Sequence, residues 1–181
     1  NFFIKNKENM SSSEDFRFFM NNSAQLASYY KSNFKKAKKY WKLSDEAYEQ
    51  YKKLHESEWH VPIKAYPSEY FAKRVSHLIA IKANKNEIEK FIFNYIENEE
   101  GSGLAIGYKS MAEFYMYYED DVQCIKWGEK AKNLIKKTFK DIDALDQEFE
   151  GIYSLLSDCY WNIGDMKNAY KFANKEIQIY K

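Results

Sequence analysis

The feature that most constrains this chain is a match to itself. Residues 153-YSLLSDCYWNIGDMKNAYKFA-173, moved back by 45 positions, overlie the first 21 residues of 108-YKSMAEFYMYYEDDVQCIKWGEKA-131 without a gap. Tyr153 falls on Tyr108, Leu156 on Met111, Ser157 on Ala112 and Tyr160 on Tyr115. Gly164 falls on Glu119, Asp165 on Asp120, Ala169 on Cys124, Phe172 on Trp127 and Ala173 on Gly128. Large residues three and four apart describe one face of a helix. A turn at Glu119 or Gly164 then leads to a second helix with small residues at close-approach positions. A lone helical hairpin cannot bury both its faces, so a chain that repeats one must stack it on neighbours.

Composition points the same way. Val occurs three times, Thr once, Pro twice and Gly six times in 181 residues. Strand formers and turn residues are therefore scarce, and the expectation is an all-α chain. The formal net charge of +1 gives no global pull towards nucleic acid or membrane. Lys outnumbers Arg by 26 to two and Asn occurs 14 times, a bias that reads as AT-rich coding. No apolar run approaches the roughly 20 residues that span a bilayer. Phe2, Phe3 and Ile4 are too few for a signal-peptide core, and a first residue of Asn reads as a fragment, mature form or processed chain. Two cysteines, Cys124 and Cys159, suggest no disulfide framework; read as buried, unpaired thiols they favour the cytoplasm.

Residues 1–10 form a loose end, and Ser11 with Glu14 makes a capping box for a helix to about Tyr30. A long helix covers about Asn33 to His55, with Ala37, Tyr40, Trp41, Ser44, Ala47, Tyr48, Tyr51 and Leu54 on one face. Residues 56–67 hold both prolines and read as an irregular connection. Ser68 to Ala83 is helical with Phe71, Val75, Leu78 and Ile79 inward, and Asn84 with Glu87 starts another helix over 86–98. Helices over 104–118 and 121–138, then 144–162 behind an Asp143 N-cap and 165–180, complete eight helices. One domain over 11–181 is expected, in hairpins of about 11–55, 68–98, 104–138 and 144–180.

Tyr153, Leu156, Ser157, Tyr160, Gly164 and Ala169 resemble the signature of the tetratricopeptide repeat family. Glu176 stands where that family has a second Ala. Tyr108, Met111, Ala112, Tyr115, Cys124 and Ala131 carry the pattern in the earlier copy, with Glu119 in place of Gly. A weaker copy lies at 29–44, with Ala37, Tyr40 and Ser44, and 68–98 has the size of a repeat without its motif residues. The resemblance implies a right-handed α-solenoid of stacked antiparallel hairpins. The 45-residue period exceeds the family's usual 34. Lengthened repeats of this kind are similar to those of bacterial peptide-pheromone receptors and repeat-bearing sensors.

The resemblance also implies a site, the concave stripe of the first helices. By register this is Lys109, Ser110, Glu113, Met116 and Tyr117 in one copy, and Ser154, Leu155, Asp158, Trp161 and Asn162 in the next. Lys73, Arg74 and His77 extend it. The reading is a non-enzymatic scaffold that holds a protein or peptide, with no cofactor and no metal. A bacterial ligand-sensing or regulatory domain is the alternative. Trp161 has a second reading as a contact to a further repeat, and 177-IQIY-180 as a self-association face.

No catalytic constellation assembles from the remaining residues. His55, His60, Glu56 and Glu58 lack a second ligand pair at metal-site spacing and read as a solvated loop. Gly101-Ser102-Gly103 lacks the lysine of a phosphate loop and reads as a flexible turn. Lys31 to Lys42 holds six lysines in twelve residues among Phe34, Tyr40 and Trp41. That mixture permits RNA binding, but Ala37, Tyr40, Trp41 and Ser44 read better as a packed face with the lysines on the wet one. Asn21-Asn22-Ser23 is a glycosylation sequon.

Overall fold

A computed structural model describes residues 10–30, 32–60, 63, 66–138 and 151–179. Among them it shows eight α-helices and no strand: α1 (Ser13–Tyr29), α2 (Phe34–Trp59), α3 (Ser68–Ala80), α4 (Lys85–Glu97), α5 (Gly101–Tyr117), α6 (Asp121–Thr138), α7 (Ile152–Asn162) and α8 (Met166–Ile179). The all-α expectation holds. The chain divides into two compact units, one ending at Ile81 and the other beginning at Lys82. That boundary falls inside the span 68–98 expected as one hairpin, so α3 and α4 are described with separate units.

In the first unit α1 packs along α2, and α3 packs on α1. Small residues set the approach: Ala24, Ala27, Ala37 and Ala47 are fully buried. The Ser44 hydroxyl, also buried, donates to the Met20 carbonyl at 2.8 Å and so ties α2 to α1 without an orphaned polar group. Phe19, Met20, Phe71 and Val75 fill the interior. Each such side chain contributes about 1.5–3 kcal/mol through burial. The expected face of α2 is the buried one: Ala37, Trp41, Ser44, Ala47, Tyr48 and Tyr51 are buried, with Tyr40 and Leu54 half-buried.

Two boundaries differ from expectation. The capping box of α1 sits one residue later, on Ser12 and Asp15: the Asp15 N–H donates to Ser12 Oγ at 3.2 Å, and the Ser12 N–H donates to the Asp15 carboxylate at 3.1 Å. Asp15 reaches back from the third helical position, which Glu14 does not occupy in this frame. Helix α2 runs on past His55 to Trp59 and ends where His60 takes a left-handed φ of 54°. Glu58 in that extra turn accepts from the N–H and hydroxyl of Ser13, so it caps α1 from across the unit.

In the second unit α4 packs on α5, α5 on α6, α6 on α7, and α7 on α8. Helix α5 begins at Gly101, so Gly101-Ser102-Gly103 is its first turn and not a separate flexible link. Helix α7 is described from Ile152; the expected start near 144 and the Asp143 cap lie outside the described residues.

The turns of the two later hairpins carry the same bonds 45 residues apart. Glu119 N–H donates to Met116 O at 3.0 Å and Asp120 N–H to Tyr115 O at 2.9 Å. Gly164 N–H donates to Trp161 O at 3.0 Å and Asp165 N–H to Tyr160 O at 2.9 Å. Both helices thus end in the same left-handed closure, with φ of 59° at Glu119 and 81° at Gly164. Asp120 then accepts from Gln123 N–H, and Asp165 from Asn168 N–H, each at 3.1 Å, which starts the next helix.

The small residues lie where close packing needs them. Ala112, Cys124 and Ala169 are buried, and the Ser157 hydroxyl donates to the Ala169 carbonyl at 3.0 Å. A Cβ on Gly128 would stand 2.8 Å from Leu156 Cδ2, so its absence lets α7 seat against α6.

The cysteines overturn one expectation. Cys124 of α6 and Cys159 of α7 form a disulfide across 35 residues of sequence, with both fully buried. The structure shows no free cysteine among the described residues, so the cytoplasmic argument from unpaired thiols loses its premise. No helix of the described residues is long and apolar enough to cross a membrane.

Candidate functional site

The expected stripe lies on α5 and α7 of the second unit, at matching register positions. Ser110 and its counterpart Leu155 are buried, at 3% and 5% exposure, so these two serve packing and not an open surface. Other expected positions on the same helices are more accessible. Tyr117 and Trp161 are large apolar groups exposed at 44% and 53%. Asp158, Ser154 and Asn162 are exposed, and Lys109, Glu113 and Met116 are half-buried. Positions 109, 113, 116 and 117, like 154, 158, 161 and 162, share one helical face by their spacing.

Several of these groups already have partners. Lys109 pairs with Glu113 at 3.7 Å, one turn apart. Burial raises the Glu113 carboxyl above its ordinary range, and the Lys109 charge opposes that shift. Asn162 donates its amide to Asp121 at 3.0 Å, which ties the end of α7 to the start of α6. The Ser154 N–H donates to Glu176 at 3.1 Å, so this carboxylate caps the first turn of α7. Trp161 meets Tyr170 of α8 edge-on, with centroids 6.3 Å apart. Tyr117 meets Tyr118 edge-on at 5.1 Å.

Sequence spacing did not point to Val122, Ile163, Met166 and Tyr170, all exposed apolar residues near the hairpin turns. Glu119 and Asp158 are exposed carboxylates. Of the expected self-association face, Ile177 is exposed at 53%, while Tyr180 lies outside the described residues.

The expected extension stands in the first unit. Arg74 pairs with Asp45 at 3.1 Å and lies over the Trp41 ring, 4.8 Å from its centroid. The Tyr70 hydroxyl donates to the other oxygen of Asp45, and Tyr48, Tyr66 and Tyr70 stack beside it. Burial first, then the Asp45 bond, raises the Tyr70 hydroxyl. His77 packs against Trp41 at 5.0 Å; burial and then the Arg74 charge lower it to about 4, so it is neutral at ordinary pH. Arg74 and His77 are thus committed to a polar–aromatic network, and Lys73 is half-buried beside them in sequence.

Two other sequence candidates resolve into structural roles. Glu58 serves Ser13, and those bonds hold its carboxyl below its ordinary range. His55 contacts the rings of Tyr51 and Trp59. In the lysine-rich run Trp41 is buried and Tyr40 stacks on Tyr30 at 5.6 Å, so neither ring is open for a base. Lys35, Lys36, Lys38 and Lys39 face solvent, and the Phe34 side chain lies outside the described residues. Ser23 of the sequon is buried within α1.

Comparison of the chain with family models, curated proteins and solved structures finds no match.

Proposed function

We propose that the chain is a non-enzymatic binding module of tetratricopeptide-like architecture that holds a peptide or protein segment on its second unit. The carrying observation is the exposure of three large rings of the second unit, Tyr117, Trp161 and Tyr170, with Trp161 edge-on to Tyr170, together with the exposed carboxylates Asp158 and Glu119. Large exposed rings are the groups that anchor partners, because they bury much area at little entropy cost. The carboxylates favour a segment carrying an apolar anchor flanked by basic residues. The identical bonds of the two hairpin turns, 45 residues apart, support a repeat as the underlying plan. The buried disulfide favours an oxidising compartment over the cytoplasm.

The test is capture of partners from the native source by the wild-type chain beside a Tyr117→Ala/Asp158→Lys/Trp161→Ala variant shown to be folded by circular dichroism. A captured protein is then purified and titrated against both. Binding lost only in the variant supports the reading, and equal affinity for both rejects this surface as the site.

A further inference from the structure

The face shared by α6 and α8 carries an unusual gathering of positive charge. Lys132 and Lys136 lie four residues apart on α6, and Lys171 and Lys175 four apart on α8. Lys136 and Lys171 are exposed, Lys175 is half-buried, and the Lys132 side chain is only 13% exposed. The fold brings lysines of both helices together over one ring. The ammonium groups of Lys132, Lys171 and Lys175 stand 5.0, 5.6 and 5.9 Å from the centroid of Phe172. All three therefore fall within a sphere of 5.9 Å radius around that buried ring. Lys175 also lies 5.6 Å from the Tyr153 ring.

One nearby carboxylate lies within the face and one is engaged outside it. Glu129 pairs with Lys132 and accepts from the Tyr160 hydroxyl, and Glu176 accepts from the Ser154 N–H. Among the described residues, Lys136, Lys171 and Lys175 form no ion pair. Partial burial, then Lys136, Lys171 and Lys132, lower the Lys175 ammonium, while Glu129 opposes them. Like charges held this close repel, and a multivalent anion among them would turn the repulsion into attraction.

We propose that the α6–α8 face is a binding site for a multivalent phosphate group, held by Lys136, Lys171 and Lys175 beside the Lys132–Glu129 pair. Its chemistry suits a soluble polyphosphate or a phosphorylated lipid headgroup, and it does not depend on the peptide surface. Lysine suits such a ligand as a mobile point charge with three donors. The lysine stems also cover Phe172, a purely structural role that long side chains often play. Lys171→Met/Lys175→Met separates the two roles, since Met keeps the apolar stem and removes the charge.

The experiment titrates inorganic tripolyphosphate into the full oxidised chain by calorimetry at low salt. The full chain is used because its net charge includes five carboxylates in the sequence between α6 and α7, Asp141, Asp143, Asp146, Glu148 and Glu150. Saturable binding is expected, weakening as salt rises. Lys171→Met/Lys175→Met should weaken it roughly a hundredfold, about tenfold per lysine. The control Lys38→Met/Lys39→Met, with the same change in net charge on exposed lysines of α2, should leave it unchanged. Vesicles of phosphatidylcholine with and without phosphatidylinositol bisphosphate separate the sources. Pelleting that tripolyphosphate competes away assigns the lipid headgroup, and tripolyphosphate binding without pelleting assigns a soluble anion. Absence of saturable heat, or equal weakening by both lysine variants, overturns the site.

Discussion

Removing the Cys124–Cys159 cross-link should destabilise the second unit mainly by freeing its unfolded state. The bond closes a loop across 35 residues. The chain-entropy relation for that length gives about 4 kcal/mol at 25 °C. For a unit of about a hundred residues, each kcal/mol moves the melting temperature by roughly 4–8 °C, so a fall of about 15 °C or more is expected. The assay is thermal and urea unfolding of the oxidised chain beside Cys124→Ala/Cys159→Ala, with intact mass under non-reducing conditions to establish the bond. Because the uncrosslinked chain expands further, its urea m-value should rise as its midpoint falls. An unchanged melting temperature would refute the reasoning. A lower midpoint with an unchanged m-value would place the effect in lost packing between α6 and α7, not in chain entropy.

Three further perturbations follow from the same structure. Glu119→Gly relieves a left-handed backbone at 59° and should stabilise the chain by about 0.5–1 kcal/mol, while Gly164→Ala at 81° should cost at least as much; urea midpoints check both. Leu156→Ala, which empties a fully buried site against Gly128, should cost about 2–5 kcal/mol in the same assay. His77 is lowered from 6.5 to about 4, so the unfolded chain takes up its proton first as pH falls. Its contribution is therefore present above pH 6.5, is lost progressively towards about 4, and is level below that. Because His77 is only half-buried, the loss is on the order of 1 kcal/mol. His77→Gln should flatten that part of the stability profile, and an identical slope in both proteins would remove His77 as its cause.

The core was legible where one helix face decides burial. Ala37, Trp41, Ser44 and Ala47 on α2, and Met111, Ala112 and Leu156 on α5 and α7, follow from three- and four-residue spacing alone. The hairpin turns were legible as well, because Glu119 and Gly164 share a position that only a left-handed residue can fill. The disulfide was not, since Cys124 and Cys159 occupy different register positions and meet only when α7 seats on α6. The candidate stripe was legible as a face but not in its rotation. Spacing alone does not say that Ser110 and Leu155 turn inward while Trp161 and Tyr117 turn outward. The lysine face on α6 and α8 stayed hidden for a related reason: lysines of two separate helices meet over Phe172 through a packing that no local pattern encodes.

The binding surface on the second unit is tested most directly by amide hydrogen exchange of the full chain with and without a peptide. The peptide is one selected from a displayed random library that binds the wild-type protein and not the Tyr117→Ala/Asp158→Lys/Trp161→Ala variant. Protection confined to the ends of α5 and α7 and the start of α8, around 115–118 and 158–170, is the expected result. A library that yields no such peptide, or protection lying instead along 35–42 of α2, would contradict the account.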